Sequence, residues 1–203
     1  MAVNVVRFQL EARAHGTKMG YEAGMRMKIA VTTAVVMGLG FVGMPTVARA
    51  AETARFLKEG EPFPTWSLRD QTGTVVTSQS LAGKPYLLWF YPKAQTPGCT
   101  TEGRGLRDRF EEFRTRGIEI LGVSFDPPAA NAEFVKAEGF PFRLLSDTDR
   151  TLARAVGAAT SDTQYFASRI SYLIGADGKV RKVYDEVTPA THAKDVLVDL
   201  SKR

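Results

Sequence analysis

The sequence predicts an α/β domain: a mixed central sheet flanked by helices, with an amino-terminal β-hairpin. Three observations carry this. "YLLWFY" at 86–91 is a run of six bulky apolar or aromatic residues, as in a strand buried on both faces. Further apolar strands alternate with segments whose apolar residues recur at helical spacing, which requires a sheet covered by helices. "RISYLIGADGKVRKVY" at 169–184 holds Asp177-Gly178 between two runs, a strong hairpin signal.

Each element follows in order. Residues 52–62 read as a loose leader. "FPTWSLRDQTGTVVTSQSLAGK" alternates weakly around a turn at Gln71-Thr72-Gly73, giving a short hairpin. The 86–91 strand stops at Pro92. From about residue 100 the period changes: Leu106, Phe110 and Phe113 fall at helical spacing among charged residues, and Gly117 closes that helix. "IEILGVSF" at 118–125 is a second apolar strand. After Pro127-Pro128 comes a helix carrying Phe134 and Val135 and ending near Gly139. "FRLL" at 142–145 is a third strand, and "DTDRTLARAVG" a short helix stopped by Gly157. The hairpin at 169–184 precedes a last helix at about 189–201, with Ala193, Val196, Leu197 and Leu200 on one face. This order resembles that of the thioredoxin class.

The charge distribution excludes a nucleic-acid partner. The formal charge is +5. Residues 1–50 hold six Lys or Arg against two Glu, and 51–203 hold 21 against 20 acidic residues, so the folded part is nearly balanced. The basic excess belongs to a segment that reads as targeting. "MRMK" at 25–28, the apolar "IAVTTAVVMGLGFVGM" at 29–44 and Ala48-Arg49-Ala50 are the three parts of a secretory signal peptide. The apolar run is short for a bilayer span of about 20 residues. Two regions follow: an extension and signal peptide at 1–50, cleaved after Ala50, and one domain at 51–203. The start is Met1, Met25 or Met27, and the destination is the periplasm or the exterior.

Cys99 is the only cysteine. An exported domain stapled by disulfides needs cysteines in pairs, so Cys99 is inert, pairs between chains, or reacts. Its position favours reaction. It lies between the carboxyl end of a central strand and a helix start, where reactive groups gather and unpaired N–H groups stabilise an anion. The thiolate is the nucleophilic form. Thr96 supplies a hydroxyl three residues earlier, Pro92 and Pro97 stiffen the loop, and Gly98 allows close backbone approach. The piece missing locally is a cation near the thiolate, which must come from elsewhere in the fold.

Pro92, Thr96 and Cys99 spell P-x-x-x-T-x-x-C, which resembles the peroxidatic motif of peroxiredoxins. "FYPKAQTPGCTTE" is similar almost letter for letter to the bacterioferritin-comigratory, Q-type subgroup. The similarity continues through "LRD" at 106–108, "ILGVSFD" at 120–126, "LLSD" at 144–147 and "ISYLIGADGKV" at 170–180, and covers about residues 56–201. The resemblance implies a thioredoxin-like fold and a thiol peroxidase. Cys99 would attack the peroxide. Thr96 and Arg169, the arginine opening the strand before the last hairpin turn, would hold it, and Pro92 would shield the pocket. Many members carry a resolving cysteine five residues after the peroxidatic one; here that position is Arg104. The reductant is then an external thiol: thioredoxin-like, glutaredoxin-like or of low molecular weight. A peroxide substrate, no cofactor, no metal, and a monomer or weak dimer complete the expectation.

Plainer roles compete at each position. Thr96 stabilises its own turn, Arg169 is half of a surface ion pair, and Pro92 ends the strand. Glu102 caps its helix, Trp66 and Trp89 are core, and His192 is solvated. The functional rivals are a thiol–disulfide oxidoreductase of the thioredoxin class and a non-catalytic thioredoxin-like binding module. The first normally uses C-x-x-C, and here the third residue after Cys99 is Glu102.

Overall fold

A computed structural model describes residues 55–202. The expected signal segment at 1–50 lies outside these residues. Seven strands form one mixed sheet: β1 (Ser67–Asp70), β2 (Val75–Thr77), β3 (Tyr86–Phe90), β4 (Glu119–Ser124), β5 (Arg143–Ser146), β6 (Ile170–Ile174) and β7 (Val180–Tyr184). Their order across the sheet is β2-β1-β5-β4-β3-β6-β7. β3, β4 and β5 are parallel neighbours, and the outer pairings are antiparallel. The helices are α1 (Pro97–Asp108), α2 (Phe110–Thr115), α3 (Pro128–Glu138), α4 (Thr151–Ala155) and α5 (His192–Ser201).

β3 shows why its sequence is apolar throughout. Side chains alternate across a strand. Tyr86, Leu88 and Phe90 point to one face, where they meet Leu121, Val123, Tyr172 and the α4 residues Leu152 and Ala153. Leu87, Trp89 and Tyr91 belong to the other face, with Leu106 of α1, Phe113 of α2, Phe134 of α3 and Val196 of α5. Both faces are covered, so no position in the strand is left for a polar residue. Each fully buried Leu here contributes about 2 kcal/mol relative to exposure. Gly139 ends α3 at φ 64°, a left-handed conformation that glycine adopts without steric cost.

Two elements differ from expectation. The segment before the hairpin is not loose over its whole length. Gly60 N–H donates to Val180 O at 2.8 Å, Val180 N–H to Glu61 O at 2.9 Å, and Phe63 N–H to Gly178 O at 2.9 Å. These bonds cover the start of β7, an otherwise bare sheet edge; a pairing so short and so distant leaves no period in the sequence. The helix expected to run on to Gly117 is two, because Arg109 leaves helical geometry at φ −111°, ψ 12°.

Candidate active site

The site grows from the end of β3. Tyr91 N–H donates to Val123 O at 3.0 Å, keeping the chain on the sheet for one residue more. Pro92 follows and is half-buried. Ala94 N–H donates to Asp126 Oδ2 at 2.8 Å, which ties the loop to the end of β4. Gln95 takes a left-handed φ of 62° and turns the chain into Thr96, the residue that caps α1. Pro97 is the first helical residue, where its missing N–H costs nothing. Cys99 is the third, in the first turn, ahead of the first helical bond from Thr100 N–H to Thr96 O at 2.8 Å. The helix dipole there favours an anion.

Cys99 is fully buried. Arg169, in the bend just before β6, reaches it across 70 residues of sequence: Nη2 donates to Sγ at 3.4 Å. Gly98 makes the room, since a Cβ there would sit 3.1 Å from Arg169 Nη2. The Nη1 of the same guanidinium donates to Glu102 Oε2. Burial works against the charge of Arg169, but Glu102 and Cys99 outweigh it and raise its pKa. The cation missing from the local sequence is thus supplied by the fold.

Thr96 sits one turn from the sulfur, and its hydroxyl donates to Lys93 O at 2.9 Å, holding the loop closed. Cys99, Arg169 and Thr96 therefore converge on one helix start, with Pro92 at the head of the loop.

Two residues are not where the sequence put them. Glu102 does not cap α1, whose N-cap is Thr96: it is fully buried, with Oε2 on Arg169 and Oε1 taking no hydrogen bond. Burial pushes its pKa up to about 7 against the opposing pull of Arg169. Its i, i+3 spacing from Cys99 was the available signal, because both then face the same side of α1. His192 is likewise buried, at 2% exposure, because it continues the apolar face of Ala193 and Val196 onto the sheet. Its Nε2 lies 2.9 Å from Ser171 Oγ.

Arg104, five residues past Cys99, points to α3. Its Nε donates to Glu138 Oε2 at 2.6 Å and its Nη2 to Oε1 at 3.2 Å, while Arg107 Nη1 donates to Glu138 O at 2.6 Å. Among the described residues, no group of three or more His, Cys, Asp or Glu could hold a metal ion.

A thiol in the first turn of a helix, with a guanidinium on its sulfur and a mixed sheet behind it, defines a thiol-based redox protein of thioredoxin-like fold. The model of the AhpC/TSA family matches residues 60–183. Peroxiredoxin Bcp of Escherichia coli K12 is 39% identical over 146 residues, covering 70% of this chain and 94% of that protein. The chloroplastic peroxiredoxin Q of Oryza sativa subsp. japonica is 33% identical over 163 residues, 75% of each. Among solved structures, peroxidoxin BcpB from Mycobacterium tuberculosis superposes with a TM-score of 0.67 at 33% identity, covering 72% of this chain and 97% of that one. Xanthomonas campestris peroxiredoxin Q gives 0.64 at 35% identity, covering 68% and 90%. The chain belongs to the AhpC/TSA family and is a peroxiredoxin of the Bcp and Q kind, with a single cysteine. It is a thiol peroxidase, and neither the oxidoreductase nor the binding-module reading is favoured.

Proposed function

We propose that Cys99 is the peroxidatic residue of a one-cysteine cycle and that the second electron pair comes from an external thiol. The carrying observation is the Arg169 guanidinium on the Cys99 sulfur, in a chain with no second cysteine. The Cys99 thiolate attacks the terminal oxygen of a hydroperoxide. The S–O bond forms as the O–O bond breaks, leaving Cys99 sulfenic acid and an alkoxide or hydroxide that takes a proton from solvent. Arg169 steadies the charge arriving on the leaving oxygen, Thr96 lines the approach, and Pro92 limits water at the sulfur. One external thiol then displaces water from the sulfenic acid to give a mixed disulfide. A second releases Cys99 as thiol and leaves the reductant oxidised.

Organic hydroperoxides are proposed substrates beside hydrogen peroxide. The Xanthomonas campestris bacterioferritin comigratory protein, 34% identical with a TM-score of 0.63, is described for its alkyl peroxide reduction activity. Export is proposed from the signal pattern at 25–50, placing the reaction in the periplasm or outside the cell. Mass analysis of the amino terminus of exported protein tests it: a start at Ala51 supports cleavage, and an intact 25–50 segment in the membrane fraction rejects it.

The test of the cycle is intact mass after one equivalent of peroxide. One added oxygen per chain, absent in Cys99→Ser, supports it. A quantitative disulfide-linked dimer through Cys99 overturns it in favour of intermolecular pairing.

A further inference from the structure

His192 is a buried titratable side chain with no part in the cycle above. It opens α5, and its ring is fixed by other elements. Nε2 is 2.9 Å from Ser171 Oγ on β6, and Tyr184 of β7 packs edge-on with ring centroids 5.3 Å apart. The same Nε2 lies 3.9 Å from Glu102 Oε1 on α1, the carboxyl oxygen that Arg169 does not take. A glutamate carboxyl turns easily about its last bond, because that torsion has only broad preferences. Besides Arg169, the Trp89 side chain acts on the carboxyl. The fixed ring nitrogen 3.9 Å from its second oxygen, short of a hydrogen bond, bounds the turn that remains.

We propose that His192 is a positioning residue of the peroxide reaction: held by Ser171, it sets the Glu102 carboxyl against Arg169 and so aims the guanidinium at the Cys99 sulfur. This rests on the cycle proposed above. The chain of contacts runs from Ser171 through His192, Glu102 and Arg169 to Cys99, all of them buried except the partly exposed Arg169. The ring suits this role because it stays neutral. Burial pushes its pKa down to about 4, against the pull of Asp195 on α5 and with the push of Arg169. A charged ring would compete with Arg169 for the one carboxylate.

The experiment is a quenched time course of Cys99 oxidation by hydrogen peroxide, read by intact mass on the full chain, with urea unfolding of each protein. His192→Phe keeps a ring but removes Nε2; His192→Gln returns a polar nitrogen at nearly the same reach. The expected result is a loss of about 10- to 100-fold in oxidation rate for His192→Phe, the size that misaiming a catalytic group produces, and recovery to within about threefold for His192→Gln. A folded His192→Phe that reacts at the unmodified rate overturns the proposal. So does a His192→Gln as slow as His192→Phe, since packing rather than Nε2 would then be responsible. Should His192→Phe not fold, Ser171→Ala replaces it: slowed oxidation supports the proposal, and the unmodified rate overturns it. Failure of the unmodified protein to gain an oxygen at Cys99 is a separate result, and it removes the cycle itself.

Discussion

Replacing Glu102 by Gln removes a buried charge while keeping the shape and an oxygen for Arg169. Its effect on stability depends on pH, and the sign follows from the site. Burial raises the Glu102 carboxyl from the ordinary 4.5 to about 7. Between those values the folded protein holds a proton that the unfolded chain releases. Glu102 therefore contributes stability that is complete below pH 4.5 and lost as pH rises through 7. The size is on the order of 3 kcal/mol, at about 1.4 kcal/mol per tenfold. His192 runs the other way: its folded pKa is lowered from 6.5 to about 4, so it favours the fold more as pH rises through that interval. In the unmodified protein the two slopes largely cancel. Glu102→Gln leaves the histidine slope alone. Relative to the unmodified protein, the variant is expected to gain on the order of 3 kcal/mol between pH 4 and pH 8. Asp147, raised by burial to about 6, is common to both proteins and drops out of the difference. Urea unfolding at several pH values, followed by the fluorescence of buried Trp66 and Trp89, measures it. A stability difference that stays constant from pH 4 to pH 8 would refute the account of a carboxyl held protonated by burial.

Arg169→Ala is expected to slow Cys99 oxidation about 10²- to 10³-fold, the loss that follows removal of one preorganised donor; a rate unchanged in stopped-flow would show that the contact at rest plays no part. Excess peroxide without thiol is expected to carry Cys99 on to sulfinic acid, two oxygens heavier by intact mass, with activity that added thiol does not restore. Gly103→Ala is expected to destabilise by about 1–3 kcal/mol in urea unfolding, because its Cβ would meet Phe140 Cζ at 2.5 Å and Trp89 Cη2 at 3.1 Å.

The central strands were legible because burial on both faces leaves a run such as 86–91 wholly apolar, a composition that no other described strand or helix has. The location of Cys99 was equally legible, since Pro92 and the change of period after it mark a strand passing into a helix. Arg169 was another matter. Nothing local distinguishes it from a surface arginine; only the family motif singled it out, because its meeting with Cys99 is made by the β3–β6 pairing. Glu102 and His192 were misjudged for one shared reason. A carboxylate in the second turn of a helix and a histidine at the head of another are ordinarily solvated. Each is buried here by a partner element, α1 against α5 and both against β6, that sequence order does not reveal. The edge pairing of residues 60–63 with β7 was hidden in the same way.

The fork from Arg104 to Glu138 bears on what oxidation communicates. A helix that must unwind to bring two cysteines together changes its outline with every turnover, and a partner can read that change. Here the position five residues past Cys99 is tied to the end of α3, and no second cysteine calls the helix away. In the cycle proposed above, one oxygen atom is added at a buried sulfur while α1 keeps its tie to α3. The burden then passes from the helix to the reductant: no rearranging disulfide carries the oxidation outward, so the external thiol has to come in to Cys99.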